Sequence, residues 1–296
     1  MEHLTVEQTI RSEVSFCGVG LHSGAPVDMR VLPAPAGTGI VFRRTDLEGF
    51  EIEATGRNVA KVSYATSLMK KGVFISTTEH LLSALIGVGI DNAIVELNNL
   101  ELPILDGSAL PYVQAFQRVG IRRQRKQRCY MRVLEAVEVR DGSKFIGVYP
   151  ADEPIYSVEY EIDFHHPLIG VQRCEIELTR DFYKTEIAPA RTFGFLEEAE
   201  KLRKLGLIRG ASEENAIVLT RDGVANGPLR FSDEFIRHKV LDLIGDLALL
   251  GRQLLGRVVA HRAGHAMHTA LVSRLLRDRS LWEEAKYEKA AETVIA

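Results

Sequence analysis

The ten residues Arg237-His238-Lys239-Val240-Leu241-Asp242-Leu243-Ile244-Gly245-Asp246 constrain this chain most. They read as a helix. His238, Asp242 and Asp246 fall at i, i+4 and i+8, so all three project from one face. Within a run of Val, Leu and Ile, that face carries side chains that are costly to bury, where apolar ones would pack better. A bound metal is one reason to keep them there. Taken alone, a His–Asp pair one turn apart is more often an ion pair or a solvated edge. The metal reading therefore needs a third ligand and a base elsewhere.

A catalytic zinc uses three protein ligands and leaves one position open. His80 is the candidate for the third. It follows Glu79 at a helix start, where Ser76 and Glu79 make a capping box and Leu81, Leu82, Leu85 and Ile86 supply an apolar stripe. Adjacent helix residues point about 100° apart. One of the two could hold a metal while the other reaches its water. Alternatively, Glu79 only completes the capping box and His80 is a surface residue; the sequence favours neither reading. His265 follows Gly264 at another helix start, where the helix dipole disfavours imidazolium. A carboxylate such as Asp246 would restore the charge and fix the tautomer, giving a general acid. His261 and His268 lack comparable partners and read as structural or surface residues.

Short apolar runs at Val14–Phe16, Val27–Val31, Ile40–Phe42 and Phe50–Ile52 predict a strand-rich start. Ala93–Leu97 is a further strand and Leu110–Val119 a helix. The basic run Arg122–Arg128 has no interleaved aromatics and reads as a solvated linker, which puts a domain boundary after residue 127. Strands restart at Met131–Val139, Phe145–Tyr149, Tyr156–Ile162 and Cys174–Leu178. A helix over Glu197–Leu205 ends at Gly206. Ser232 is placed to cap the helix carrying His238, and Gly251 to stop it. Val258–Ala260 is a strand, and a last helix runs to Leu276. The expected fold class is α+β: two similar domains, 1–127 and 128–276, each a β-sheet layer packed on helices. The site would lie in the cleft between them. The tail, 277–296, is expected to be helical and peripheral.

A net charge of −3 argues against nucleic acid as a partner. Charges at Asp242, Asp246 and Arg252 interrupt the most hydrophobic stretch, so no membrane insertion is expected. Met1–Glu7 offers neither a basic nor an apolar stretch, so no signal peptide is expected. Cys17, Cys129 and Cys174 are scattered, against a disulfide framework or a Cys-rich zinc site, and a cytoplasmic setting is expected. There is no H-E-x-x-H, no P-loop or dinucleotide fingerprint and no G-x-S-x-G elbow.

Five blocks occur together in order: Thr77–Leu85, Pro103–Ser108, Ala190–Phe195, Arg237–Asp246 and Ala263-Gly264-His265. The chain resembles, over residues 3 to about 276, the UDP-3-O-acyl-N-acetylglucosamine deacetylases of lipid A biosynthesis. That resemblance implies a zinc amidase of two α+β domains with its site between them. It implies His80, His238 and Asp242 as Zn2+ ligands, Glu79 as general base, His265 as general acid and Asp246 as its orienting carboxylate. Thr192 matches a hydroxyl near the scissile carbonyl. Lys239 and Arg262 match contacts to the diphosphate side, and Phe193 the sugar side; His22 is a further substrate-contact candidate. An insert at about 190–220 would line an acyl-chain passage with Leu196, Ile208, Ser212 and Val218, among others. The partner implied is a nucleotide-sugar lipid met by a monomer, at most peripheral to a membrane. Ser63 stands where some members carry Cys, so no modulating metal contact is expected there. Two rivals stay open: a zinc amidase for another N-acyl substrate, and a nucleotide-sugar or lipid binder with a structural metal.

Overall fold

The structure, a computed structural model, describes residues 5–60 and 64–287. Two sheets organise it. The first runs Val14–Val19, Pro26–Pro33, Ala93–Leu97, Ile40–Arg44, Phe50–Glu53, with Ala93–Leu97 at its centre. That strand is antiparallel to Pro26–Pro33 and parallel to Ile40–Arg44. Period-2 alternation sets the covered face: Val27, Met29 and Val31 are buried, Asp28 and Arg30 exposed.

The second sheet runs Val137–Asp141, Lys144–Tyr149, Leu254–His261, Tyr130–Val133, Trp282–Ala285. Tyr156–Phe164 also pairs with Leu254–His261, in parallel, and carries Gly170–Glu177 on its other edge. The segment from Met131 to Val139 is thus two strands with an irregular step at 134–136, not one.

Among the described residues the α-helices are α1 (Glu79–Val88), α2 (Leu110–Val119), α3 (Arg180–Phe182), α4 (Leu196–Lys204), α5 (Glu234–Leu247) and α6 (His265–Arg277). Helix α1 packs closely on α5, and α6 packs on α5 in turn. Leu81, Leu82 and Leu85 of α1 join Leu241 and Ile244 of α5 in one buried apolar cluster that reaches both sheets. Burying each such side chain contributes about 1.5–3 kcal/mol. Gly245 permits the approach: a Cβ there would lie 2.0 Å from the Glu79 carbonyl oxygen. Helix α5 gives way to a 3-10 turn, Ala248–Leu250, which Gly251 closes at φ 76°.

Four expectations need correction. The basic run is no linker: Ile121–Gln127 is a strand, antiparallel to Val6–Ile10. Its charges misled because most of its side chains face solvent while Ile121 and Gln124 are partly covered; Arg128 is buried, its Nε 2.8 Å from Asp91 Oδ1. The tail is no helix through residue 285: a 3-10 turn, Arg279–Leu281, leads into Trp282–Ala285, which pairs with Tyr130–Val133. Residues 288–296 lie outside the described residues. Ser232 does not cap α5. Asp233 takes the N-cap position, and its carboxylate accepts from Arg237 Nε at 2.6 Å instead. Nor does Ser76 cap α1: it still bridges to Glu101 as extended chain, and its hydroxyl meets Ser67 Oγ at 2.9 Å.

Candidate active site

The packing of α1 on α5 brings three side chains to one buried point. His80 comes from the first turn of α1, His238 and Asp242 from successive turns of α5. His238 Nε2 lies 3.3 Å and His80 Nε2 3.7 Å from Asp242 Oδ1. Tetrahedral zinc with bonds near 2.0–2.1 Å separates its ligand atoms by about 3.4 Å, so the spacing fits such an ion. The donor chemistry fits as well. His238 Nδ1 sits 3.0 Å from the Ala190 carbonyl, which only accepts, so Nδ1 carries the hydrogen and Nε2 turns a lone pair to the group. Burial pushes the His238 pKa down to about 4, against the pull of Asp242, so the ring is neutral near pH 7. Asp242 stays ionised: burial opposes its charge, but its neighbours, Lys239 and His265 among them, outweigh it. Lys239 Nζ donates to its other oxygen, Oδ2, at 2.6 Å.

Glu79 lies beside His80 and is almost wholly buried. Freed from any capping role, its Oε2 accepts from the Thr66 backbone N–H at 3.0 Å. Burial raises its pKa above the ordinary carboxylate range, although His265 and His80 pull it back. That shift suits a group that must take up a proton near neutral pH. Just before α1, Thr77 holds φ at +58°, a strained setting for a β-branched residue, while its hydroxyl donates to the buried Glu101 carboxylate at 3.0 Å.

One turn beyond Asp242, Asp246 meets α6. Its Oδ2 lies 2.8 Å from His265 Nδ1. Burial opposes charge on His265, but Asp246, Asp242 and Glu79 outweigh it and hold its pKa up to about 9. The imidazolium is therefore the form present at neutral pH. His268 is a correction. Far from lacking a partner, it is fully buried with Nδ1 2.8 Å from the same Asp246 oxygen. The signal was available: positions i and i+3 of a helix share a face. His261 is partly exposed and pairs with Glu161 at 2.8 Å.

Comparison with known proteins decides the family. A family model described as UDP-3-O-acyl N-acetylglycosamine deacetylase matches residues 7–277. The chain belongs to that family. It is 51% identical over 289 residues to the UDP-3-O-acyl-N-acetylglucosamine deacetylase of Solibacter usitatus (strain Ellin6076), covering 97% of each chain. It is 42% identical over 286 residues to the protein of that name from Cellvibrio japonicus (strain Ueda107), covering 95% of this chain and 94% of the relative. The like-named Xanthomonas oryzae pv. oryzae (strain PXO99A) protein is 43% identical over 293 residues, covering 98% and 96%.

In this deacetylase-family chain the buried cluster opens on a cavity of about 420 Å3. Glu79, His80, His238, Lys239, Asp242 and His265 line it together with Thr192 and Phe193. The Phe193 ring stands edge-on to His238 at 6.4 Å between centroids. Leu196, Ile208, Ser212 and Val218 line the cavity as well. They come from a small β-α-β unit, in which Phe193–Phe195 pairs in parallel with Ile217–Leu219 and α4 lies between them in sequence. His22 also lines the cavity. Both its ring nitrogens are buried without a hydrogen-bond partner among the described residues, a state that calls for a ligand group or water. Arg262 is not among the lining residues; its Nη1 lies 3.6 Å from Asp163 Oδ2. Ser63 lies outside the described residues.

Sequence reasoning missed Thr66. Its backbone N–H donates to Glu79, and its hydroxyl donates to Asp246 Oδ1 at 2.5 Å. One residue thus braces both Glu79 and Asp246, the carboxylate behind His265. Nothing in Ala65-Thr66-Ser67 marks that role; it arises from long-range packing.

Proposed function

We propose that the chain hydrolyses the N-acetyl group of UDP-3-O-acyl-N-acetylglucosamine, giving acetate and the free 2-amine in the route to lipid A. It is an enzyme, a deacetylase of the amidohydrolase type. The observation that carries the reading is one buried point where a three-ligand group, a buried carboxyl and a charged imidazole all face a cavity that Leu196, Ile208 and Val218 also line. Family membership supports the substrate, and the His80–His238–Asp242 donor set supports zinc as the metal.

Zinc held there would polarise the acetamide carbonyl and lower the pKa of water toward about 7. Glu79 takes a proton from water as its oxygen adds to the acetamide carbon. The Thr192 hydroxyl and the His265 cation face the oxygen on which negative charge develops. His265 Nε2 then passes its proton to the leaving nitrogen as the C–N bond breaks, and Asp246 holds the ring at Nδ1. Water and amide become acetate and the ammonium form of the amine, and the proton taken by Glu79 returns to His265, so the protons balance. An amide is a weak electrophile with a poor leaving group, which is why a Lewis acid, a base and a separate acid serve together. Lys239 and Phe193 are placed for the phosphate and sugar portions, His22 for a polar group, and Leu196, Ile208, Ser212 and Val218 for the acyl chain. Arg262 would have to leave Asp163 to reach a diphosphate.

We further propose that residues up to 127 and from 128 form two domains, the second taking in the strand to residue 285. No helix among the described residues is long and apolar enough to cross a membrane; a cytoplasmic monomer is our reading. Acetate release from this substrate by chelator-stripped protein, before and after zinc is restored, tests the function. Zinc-dependent release is expected. A folded, zinc-loaded protein that releases none would overturn the substrate assignment.

A further inference from the structure

Asp246 has no exposed surface, and every contact of its carboxylate is accounted for. Oδ1 accepts from Thr66 Oγ1, and Oδ2 is shared by His265 Nδ1 and His268 Nδ1, each at 2.8 Å. An ionised carboxylate only accepts, so both Nδ1 atoms carry hydrogen. His265 is left with Nε2 as its free end, in the cavity it lines. His268 has no such end. Its Nε2 lies 3.1 Å from the Tyr160 hydroxyl, which itself lies 2.8 Å from the Ala263 carbonyl. Tyr160 sits mid-strand, paired with Cys174 on one side and Ala260 on the other. Ala263 immediately precedes Gly264, the N-cap of α6. The second sheet therefore reaches the His265 ring through Tyr160, His268 and Asp246 in turn, and the same hydroxyl meets the chain where α6 starts.

We propose that His268 is a positioning residue for the general acid: its Nδ1–H holds the Asp246 carboxylate in the plane that His265 needs, and Tyr160 anchors His268 to the sheet. This rests on the deacetylase reading of the site. Asp246, His265 and His268 also satisfy the spacing of a metal group. Here, however, two N–H groups converge on one oxygen, and a cation would have to displace both hydrogens. With His268 gone, one of the two donors on Oδ2 is lost, the carboxylate can swing away from His265, and the Tyr160 hydroxyl loses a neighbour. No step of the reaction passes through His268, so its effect should fall on kcat and spare substrate binding.

The test compares wild type, His268→Leu and His268→Asn as zinc-loaded enzymes in steady-state deacetylation, with thermal stability measured alongside. Leu keeps the bulk and removes the donor. Asn keeps an N–H on the atom bonded to Cγ, as His does. His268→Leu is expected to lower kcat roughly 10- to 100-fold, the range for partners one shell behind a site, and to leave KM near wild type. His268→Asn should restore most of the loss. Wild-type kcat in folded His268→Leu would overturn the role, as would equal losses in both variants at matched stability. An inactive wild type would overturn the deacetylase reading and this role with it, whereas an active wild type indifferent to His268→Leu overturns the role alone. Should the Leu variant fail to fold, imidazole 15N NMR of the wild-type enzyme decides. A hydrogen on His268 Nδ1 is expected, and a tautomer carrying it only on Nε2 would overturn the proposal.

Discussion

Two clusters of the same composition, each two histidines and one aspartate, are built around aspartates one turn apart on α5. In the first, His80, His238 and Asp242, the ring nitrogens stand 3.3 and 3.7 Å from the shared carboxylate oxygen, and His238 spends its hydrogen on a backbone carbonyl behind it. In the second, Asp246, His265 and His268, both rings point their hydrogens at the carboxylate at 2.8 Å. The first turns a His238 lone pair and the Asp242 carboxylate to one point and suits a metal; the second is filled with protons and suits proton transfer. Where each ring's hydrogen goes decides the chemistry, not the list of residues.

The largest effect that sharpens this contrast is His238→Ala. It would remove one of the three proposed zinc ligands, so zinc content and turnover should both collapse, and added zinc should restore little. Metal analysis beside an acetate assay checks this; full zinc occupancy would break the contrast. Next comes Glu79→Gln, which keeps the shape and the contact with Thr66 N–H but cannot take a proton. Turnover should fall about 10²–10⁴-fold, the usual reach of general base catalysis, with zinc retained.

Asp246→Asn follows. A general acid works only while protonated, so activity is lost as pH rises through the pKa of His265. That pKa is held up to about 9, against burial, largely by Asp246. Removing the carboxylate charge should bring the alkaline limb of the kcat profile to lower pH, with a smaller loss on its plateau. An unmoved limb would detach His265 from the acid role. The smallest effect is Val218→Trp in the cavity lining. KM for the long-chain substrate should rise roughly 10-fold, while a short-chain analogue should be little affected; equal changes for both would remove Val218 from the acyl passage.

Much of the first cluster was legible in the sequence, because His238 and Asp242 share a helix face and interrupt an apolar run. His80 was legible as a candidate, but the Ser76–Glu79 spacing suggested a cap that the extended chain at Ser76 does not allow. The second cluster was only half legible. Asp246 and His265 pair by charge logic, whereas His268, three residues on, carries no partner nearby in sequence, and Thr66 depends on a contact 180 residues apart. In the fold, Arg122–Arg128 and Trp282–Ala285 misread for one reason. A short strand with charges on its open face gives too few apolar positions to reveal its period. In the second, only Trp282 and Ala285 are buried.

The measurement that tests the central claim most directly is zinc stoichiometry and affinity, by metal analysis and chelator competition, in wild type, His238→Ala and His265→Ala. One equivalent in wild type, lost in His238→Ala and kept in His265→Ala, is the predicted result. Two equivalents in wild type, or loss of the ion in His265→Ala, would contradict the division into one cluster for metal and one for protons.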